Sequence, residues 1–277
     1  MTKRALCIGI NNYPGTDMDL QGCVNDANDW SAALSERGFA VDKLLDSAAT
    51  KAAMAAAMGD LIAGATKGDS LVISFSGHGT YQPDSDGDEA DGLDEALCPY
   101  DLQTSGAALS DDEIKGLFAN RQAGVRIVLI ADSCHSGTVT RAAPAEADAD
   151  TRPRFMPMGN WLPDALLPKT RAGALATTIS GPLGASPLLA GYSRMLGDLL
   201  LSGCKEGPNN FSYDARISGR YNGAFTYYAL KALQTLPATA TYTDWHKAIG
   251  KYLPSASYPQ APQIVGSVAA RKGKIFA

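Results

Sequence analysis

The sequence predicts an α/β fold, a mostly parallel central sheet flanked by helices on both faces. Three observations carry that expectation. Residues 4–10, 70–75 and 125–131 are short, nearly continuous apolar runs rich in Val, Ile and Leu, the composition of strands buried on both sides. The segments between them carry helical periodicity, which gives strand–helix alternation. The last two runs stop abruptly on small polar residues, Ser76-Gly77-His78-Gly79 and Asp132-Ser133-Cys134-His135-Ser136-Gly137. Parallel sheets collect ligands and chemistry at such strand ends.

Residues 4–10 read as the first strand, closed by the loop Asn11-Asn12-Tyr13-Pro14-Gly15. Residues 26–37 place Ala27, Trp30, Ala33 and Leu34 on one helical face and end at Gly38. A second strand is expected over 39–45, then an alanine-rich helix over 50–63 with Thr50 as N-cap. Ser110-Asp111-Asp112-Glu113 is a helix entry with its acids at the positive end of the dipole, and Ile114, Leu117 and Phe118 follow on the apolar face. From 138 to 186 the pattern dissolves into Ala, Pro, Gly and polar residues, dotted with Arg141, Arg152, Arg154, Lys169 and Arg171. That stretch reads as a long, mobile surface excursion. A fifth strand is expected over 199–204, helices over 223–236 and 243–253, and edge strands over 264–268 and 274–276. The whole forms one domain, with a larger catalytic part (1–140), the excursion (141–186) and a smaller part (187–277).

The formal charge of −5 and the absence of any basic cluster interleaved with aromatics exclude nucleic acid as an expected partner. No apolar run approaches the roughly 20 residues of a membrane span, and the first ten residues hold too short a stretch for a secretory signal. A cytoplasmic monomer is expected. Cys7, Cys23, Cys98, Cys134 and Cys204 are odd in number and include no C-x-x-C pair, so neither a disulfide framework nor a zinc site is indicated.

A cysteine near a strand is more often a small buried hydrophobe than a nucleophile, and that reading serves Cys7, Cys23, Cys98 and Cys204. Cys134 differs, because a second strand delivers His78 to the same edge of the sheet. Only the thiolate attacks a carbonyl, so a thiol beside an imidazole base is a nucleophile–base dyad. The spacing agrees with the roughly 50 residues by which the histidine precedes the cysteine in caspases. His135 is the rival base, but neighbouring side chains on extended backbone point to opposite faces. His246 sits in a helical pattern and reads as structural or solvated. No dinucleotide or P-loop motif is present, and a serine-hydrolase elbow around Ser136 would need glycine where Cys134 stands.

Ser76-Gly77-His78-Gly79 together with Asp132-Ser133-Cys134-His135-Ser136-Gly137 resembles the metacaspases, the caspase-like cysteine peptidases. Gly22-Cys23-Val24-Asn25-Asp26-Ala27, the acidic loop and Gly219-Arg220-Tyr221-Asn222-Gly223-Ala224-Phe225-Thr226 extend the likeness over most of the chain. The resemblance implies a caspase-like fold and a cysteine endopeptidase that cuts peptides after Arg or Lys. It places an oxyanion hole at the amides of Gly79 and Cys134, and a basic-residue pocket at Asp26, Ser76 and Asp132. Strand alternation sends Asp132 to the same face as Cys134, and a carboxylate can accept two hydrogen bonds from a guanidinium. The rival readings are a helix N-cap for Asp26 and a strand-end turn former for Asp132. Many metacaspases carry an N-terminal prodomain, whereas this chain is expected to begin on the fold itself.

The chemistry calls for no cofactor, but Ca2+ is a possible activator. Residues 84–95 put seven carboxylates into twelve positions, although an EF-hand is rejected because Glu89 stands where glycine is required. The resemblance carries metal ligands onto Asp94 and Asp111, with Ser110 and Arg141 at two further acidic positions of the family and Asp112 available to compensate. A solvated acidic loop is the alternative. Self-cleavage is expected after one of Arg141, Arg152, Arg154, Lys169 or Arg171. The competing functional class is a catalytically silent caspase-like protein that acts as a binding or regulatory module.

Overall fold

The computed structural model describes residues 1–83, 93–134, 150–167, 198–205 and 210–277. Strand β1 (Lys3–Gly9) leads into helix α1 (Cys23–Ser35), then β2 (Ala40–Leu45), α2 (Lys51–Ala63) and β3 (Ser70–Ser76). The antiparallel pair β4 (Gly79–Pro83) and β5 (Leu93–Leu97) follows, then α3 (Leu102–Ser105), β6 (Leu109–Ser110), α4 (Asp111–Ala119) and β7 (Arg126–Asp132). Next come β8 (Arg152–Pro153), β9 (Leu199–Ser202), the antiparallel pair β10 (Tyr213–Ile217) and β11 (Arg220–Gly223), and α5 (Ala224–Gln234). Helix α6 (Tyr242–Ile249), β12 (Gln263–Gly266) and α7 (Val268–Arg271) complete the chain.

Six strands form the central sheet in the order β12-β9-β7-β3-β1-β2. All pairings are parallel except that of β12, which runs antiparallel to β9 at the edge. The period of two along each strand divides the core into two layers. Leu6, Ile8, Leu71, Ile73, Ile127 and Leu129 pack on one side with Met54, Met58 and Leu61 of α2 and Ile114 and Phe118 of α4. Ala5, Cys7, Val72, Val128 and Ile130 pack on the other with Trp30 of α1, Phe225 of α5 and Trp245 of α6. The fold class read from the sequence is the one observed.

Local chemistry sets the helix ends. The Thr50 side chain accepts from the Ala53 amide at 3.2 Å, and Ser110 and Glu113 form a reciprocal capping box. Helix α1 begins at Cys23, so Asp26 lies inside its first turn and is not the N-cap. Its side chain is thereby available to the sheet edge.

Two expectations need correction. Residues 274–276 form no strand among the described residues; Lys274 makes only an isolated bridge with Thr241. The surface reading of the excursion fails at 154–156 and 161–162, where Arg154, Phe155, Met156, Trp161 and Leu162 are buried. Composition misled there because Arg154 is charged yet fully enclosed, for reasons that lie in the site. Arg141, Lys169, Arg171, His135 and the acidic loop 84–92 lie outside the described residues.

Candidate active site

Strands β3 and β7 pair in parallel with Ser76 opposite Asp132. His78 and Cys134 each follow two residues later, so the register alone delivers both to the same level of the sheet edge. His78 is buried, and its Nε2 stands 2.6 Å from the carbonyl oxygen of Met18. A carbonyl only accepts, so Nε2 carries the proton and Nδ1 presents its lone pair. Among the described residues Nδ1 has no hydrogen-bond partner. Burial lowers the His78 pKa to about 4, which keeps the imidazole a neutral base at pH 7. Tyr13 seats this histidine: its hydroxyl accepts from the His78 amide at 2.8 Å, and its ring lies 4.8 Å from the imidazole.

The Cys134 thiol is buried against the backbone of Ser212, accepting from its amide and donating to its carbonyl at 3.4 Å. The Cys204 thiol lies alongside, donating to the Ser133 carbonyl at 3.6 Å. The Gly79 and Cys134 amides converge on a single acceptor, the carbonyl oxygen of Arg154, at 3.0 and 3.1 Å. The same residue sends its guanidinium down between three carboxylates. Nη2 reaches Asp26 at 2.7 Å and Asp214 at 2.9 Å, and Nη1 reaches Asp132 at 3.3 Å. This chain therefore lays one of its own arginines across the two strand ends.

Comparison with known proteins places the chain in a family. The family profile described as metacaspase, peptidase C14 domain, matches residues 3–143. The chain is 34% identical to Metacaspase-1 of Cryptococcus neoformans over 96% of its own length and 62% of that protein's. It is 31% identical to Metacaspase-1 of Mycosarcoma maydis over 96% of its length and 70% of that protein's. A solved protein from Geobacter sulfurreducens superposes with a TM-score of 0.71 at 32% identity, covering 100% of this chain and 99% of the other. The chain belongs to the metacaspases. It spans less than two thirds of the Cryptococcus relative.

Within this metacaspase, sequence reasoning found part of the acidic cluster and missed the rest. Asp26 accepts from Asn222 Nδ2 at 2.9 Å and from the Gly223 amide at 3.0 Å as well as from Arg154. Asp132 accepts from Thr226 through its amide at 2.9 Å and its hydroxyl at 2.7 Å, and from the Ser212 hydroxyl. Asp214, which the sequence did not single out, accepts from the amides of Gln21 and Gly22 at 2.8 and 3.0 Å. Asn222, Gly223 and Thr226 lie in the 219–226 motif, which marked the family without disclosing a role. Gly223 must be glycine, since a Cβ there would run into the Asp132 carboxylate and the Arg154 guanidinium. Ser76 is buried opposite Asp132, with no partner for its hydroxyl among the described residues. Burial, reinforced by the Asp132 charge, pushes the Asp26 pKa up to about 7 against the opposing pull of Arg154.

The expected calcium ligands sit elsewhere. Asp94 on β5 and Asp111 at the start of α4 are buried on neighbouring elements, since β5 pairs with β6 just ahead of α4. Burial, then the charges of Asp112 and Asp94, raise the Asp111 pKa to about 7. Acids held this way suit a hard cation, but calcium takes about six to eight oxygens. Asp112 is paired with Lys115 and Ser110 caps α4. Among the described residues no group of three His, Cys, Asp or Glu side chains is arranged to hold a metal. His246 bonds the Pro262 carbonyl at 3.0 Å, far from this chemistry in sequence and role. No helix among the described residues is long and apolar enough to cross a membrane.

Proposed function

We propose that this metacaspase is a cysteine endopeptidase that cuts after arginine or lysine with a Cys134–His78 dyad, and that Arg154 is its own first substrate residue. One observation carries the reading: Arg154 places its carbonyl on the Gly79 and Cys134 amides while Asp26, Asp132 and Asp214 hold its guanidinium. An oxyanion hole needs two fixed donors on the carbonyl to be attacked, and specificity for a basic residue needs acids one side chain away. Both conditions are met around a single residue.

In this mechanism His78 Nδ1 takes the proton of Cys134, and the thiolate attacks the carbonyl carbon of the basic residue. Charge that develops on the oxygen is received by the Gly79 and Cys134 amides. The imidazolium, held through Nε2 by the Met18 carbonyl, returns the proton to the leaving amine. Water then hydrolyses the thioester. An acidic substrate residue would meet three carboxylates in a desolvated pocket, so caspase-like preference for aspartate is disfavoured.

Arg154 in the groove also makes the intact chain latent, and cutting after it is the expected activation step. The test is mass spectrometry of freshly purified wild type and Cys134→Ala. A wild-type fragment ending at Arg154, absent from Cys134→Ala, is expected. Cleavage of fluorogenic peptides faster after aspartate than after arginine would sink the specificity.

A further inference from the structure

We propose that the groove also reads the residue following the cut bond and selects a large apolar side chain there, with Phe155 marking the position. The inference rests on the reading of Arg154 as the residue before that bond. On the amino side the chain adds to β10 as an antiparallel strand: Arg152 pairs with Asp214, Pro153 with Tyr213, and the Arg154 amide donates to Ser212 at 2.9 Å. On the carboxyl side it leaves β10 and adds in parallel to β4. There Gly79 donates to Arg154, the Met156 amide donates back to the Gly79 carbonyl at 2.8 Å, and Phe155 bridges Gly79. The Thr80 hydroxyl donates to the Met156 carbonyl at 2.7 Å.

Main-chain bonding on both sides of one peptide bond fixes the register across it, as in strand addition to an exposed sheet edge. The side chain after the bond then has one place to go. Phe155 is 4% exposed, packs its ring against that of Tyr81 at 6.1 Å, and belongs to the apolar cluster containing Cys134, Phe211 and Tyr213. An aromatic side chain gains much from such burial, whereas a charged one would be stripped of water among described neighbours that are apolar or aromatic. Met156 goes further, into the main core beside Trp161, whose Nε1 bonds Thr80 at 3.0 Å. That deeper anchor belongs to this chain alone. A peptide arriving from outside can use the Phe155 place, and only its backbone needs to follow β4.

The experiment uses internally quenched peptides with Arg-Pro-Arg before the bond and Phe, Leu, Asp or Lys after it, alongside a peptide whose terminal Arg carries a small fluorophore. The chain's own segment competes equally with every peptide, so ratios of kcat/KM are unaffected by it. The Phe and Leu peptides are expected to be cut at least tenfold more efficiently than the Asp and Lys peptides, and Tyr81→Ala should bring that ratio towards one. Equal efficiencies for all four, with the Arg-fluorophore peptide still cleaved, would overturn this inference and leave the arginine reading standing. No cleavage of any Arg peptide would overturn both.

Discussion

Arg154 Nη2 and Asp26 Oδ2 meet at 2.7 Å with both side chains fully enclosed, although 128 residues separate them. Breaking a buried pair by removing one partner leaves an uncompensated charge and typically costs about 3–5 kcal/mol. Here the arginine faces Asp132 and Asp214 as well, so its loss strands more than one acid. Arg154→Gln is expected to abolish self-cleavage at that position and to lower unfolding stability by about 3 kcal/mol. Urea titrations beside mass spectrometry read the two effects separately. Unchanged processing in Arg154→Gln would place the cut elsewhere.

Cys134→Ala and His78→Ala should each reduce peptide hydrolysis by roughly 10^4-fold or more, because nucleophile and base act as one unit. The double variant should be no worse than either single one. Single-turnover assays settle this, and additive losses would mean that His78 serves something other than the thiol.

Gly223→Ala should close the pocket with one methyl group. The added carbon overlaps the space of the Asp132 carboxylate and the Arg154 guanidinium, and its three nearest atoms all belong to those two side chains rather than to His78 or Cys134. The expected signature is a KM for arginine peptides raised at least tenfold, with binding of a thiol-directed reagent at Cys134 retained. A normal KM would show that basic side chains bind elsewhere.

The central strands were legible because they are buried on both faces, so β1, β3, β7 and β9 read as apolar runs. Strands β4, β5, β10 and β11 were not recognised, since their residues serve a site: Asp214 and Asn222 interrupt any simple alternation. The positions of His78 and Cys134 at one sheet edge could be read because each follows a legible strand directly. Arg154 could be named only as one basic residue among five in a polar stretch. Its burial depends on α1, β7 and β10 converging, which no local pattern records.

Asp26 supplies a pH dependence with a definite sign. Its carboxyl is raised to about 7 by burial first and by Asp132 next, so it is ionised above that value and neutral below it. A neutral Asp26 attracts a guanidinium less. The KM for arginine peptides should therefore rise as pH falls through the range in which Asp26 takes up its proton, and Asp26→Asn should start high and remain flat. Parallel curves for the two enzymes would assign the titration to another group.

His78 links pH to stability in the opposite sense to a paired histidine. Its folded pKa of about 4 lies below the ordinary value of 6.5, because burial disfavours the imidazolium. The unfolded chain therefore binds the extra proton first. The contribution is fully present above pH 6.5 and is lost as pH falls from there through 4. At one pKa unit per 1.36 kcal/mol, linkage puts the loss between pH 7 and pH 5 at about 2 kcal/mol. Other buried acids, Asp26 and Asp111 among them, titrate in the same range, so the quantity to follow is a difference. Wild type should lose about 2 kcal/mol more than His78→Gln over that interval in urea unfolding. Equal losses would mean that the histidine is hydrated, and the neutral base with its open Nδ1 would have to be abandoned.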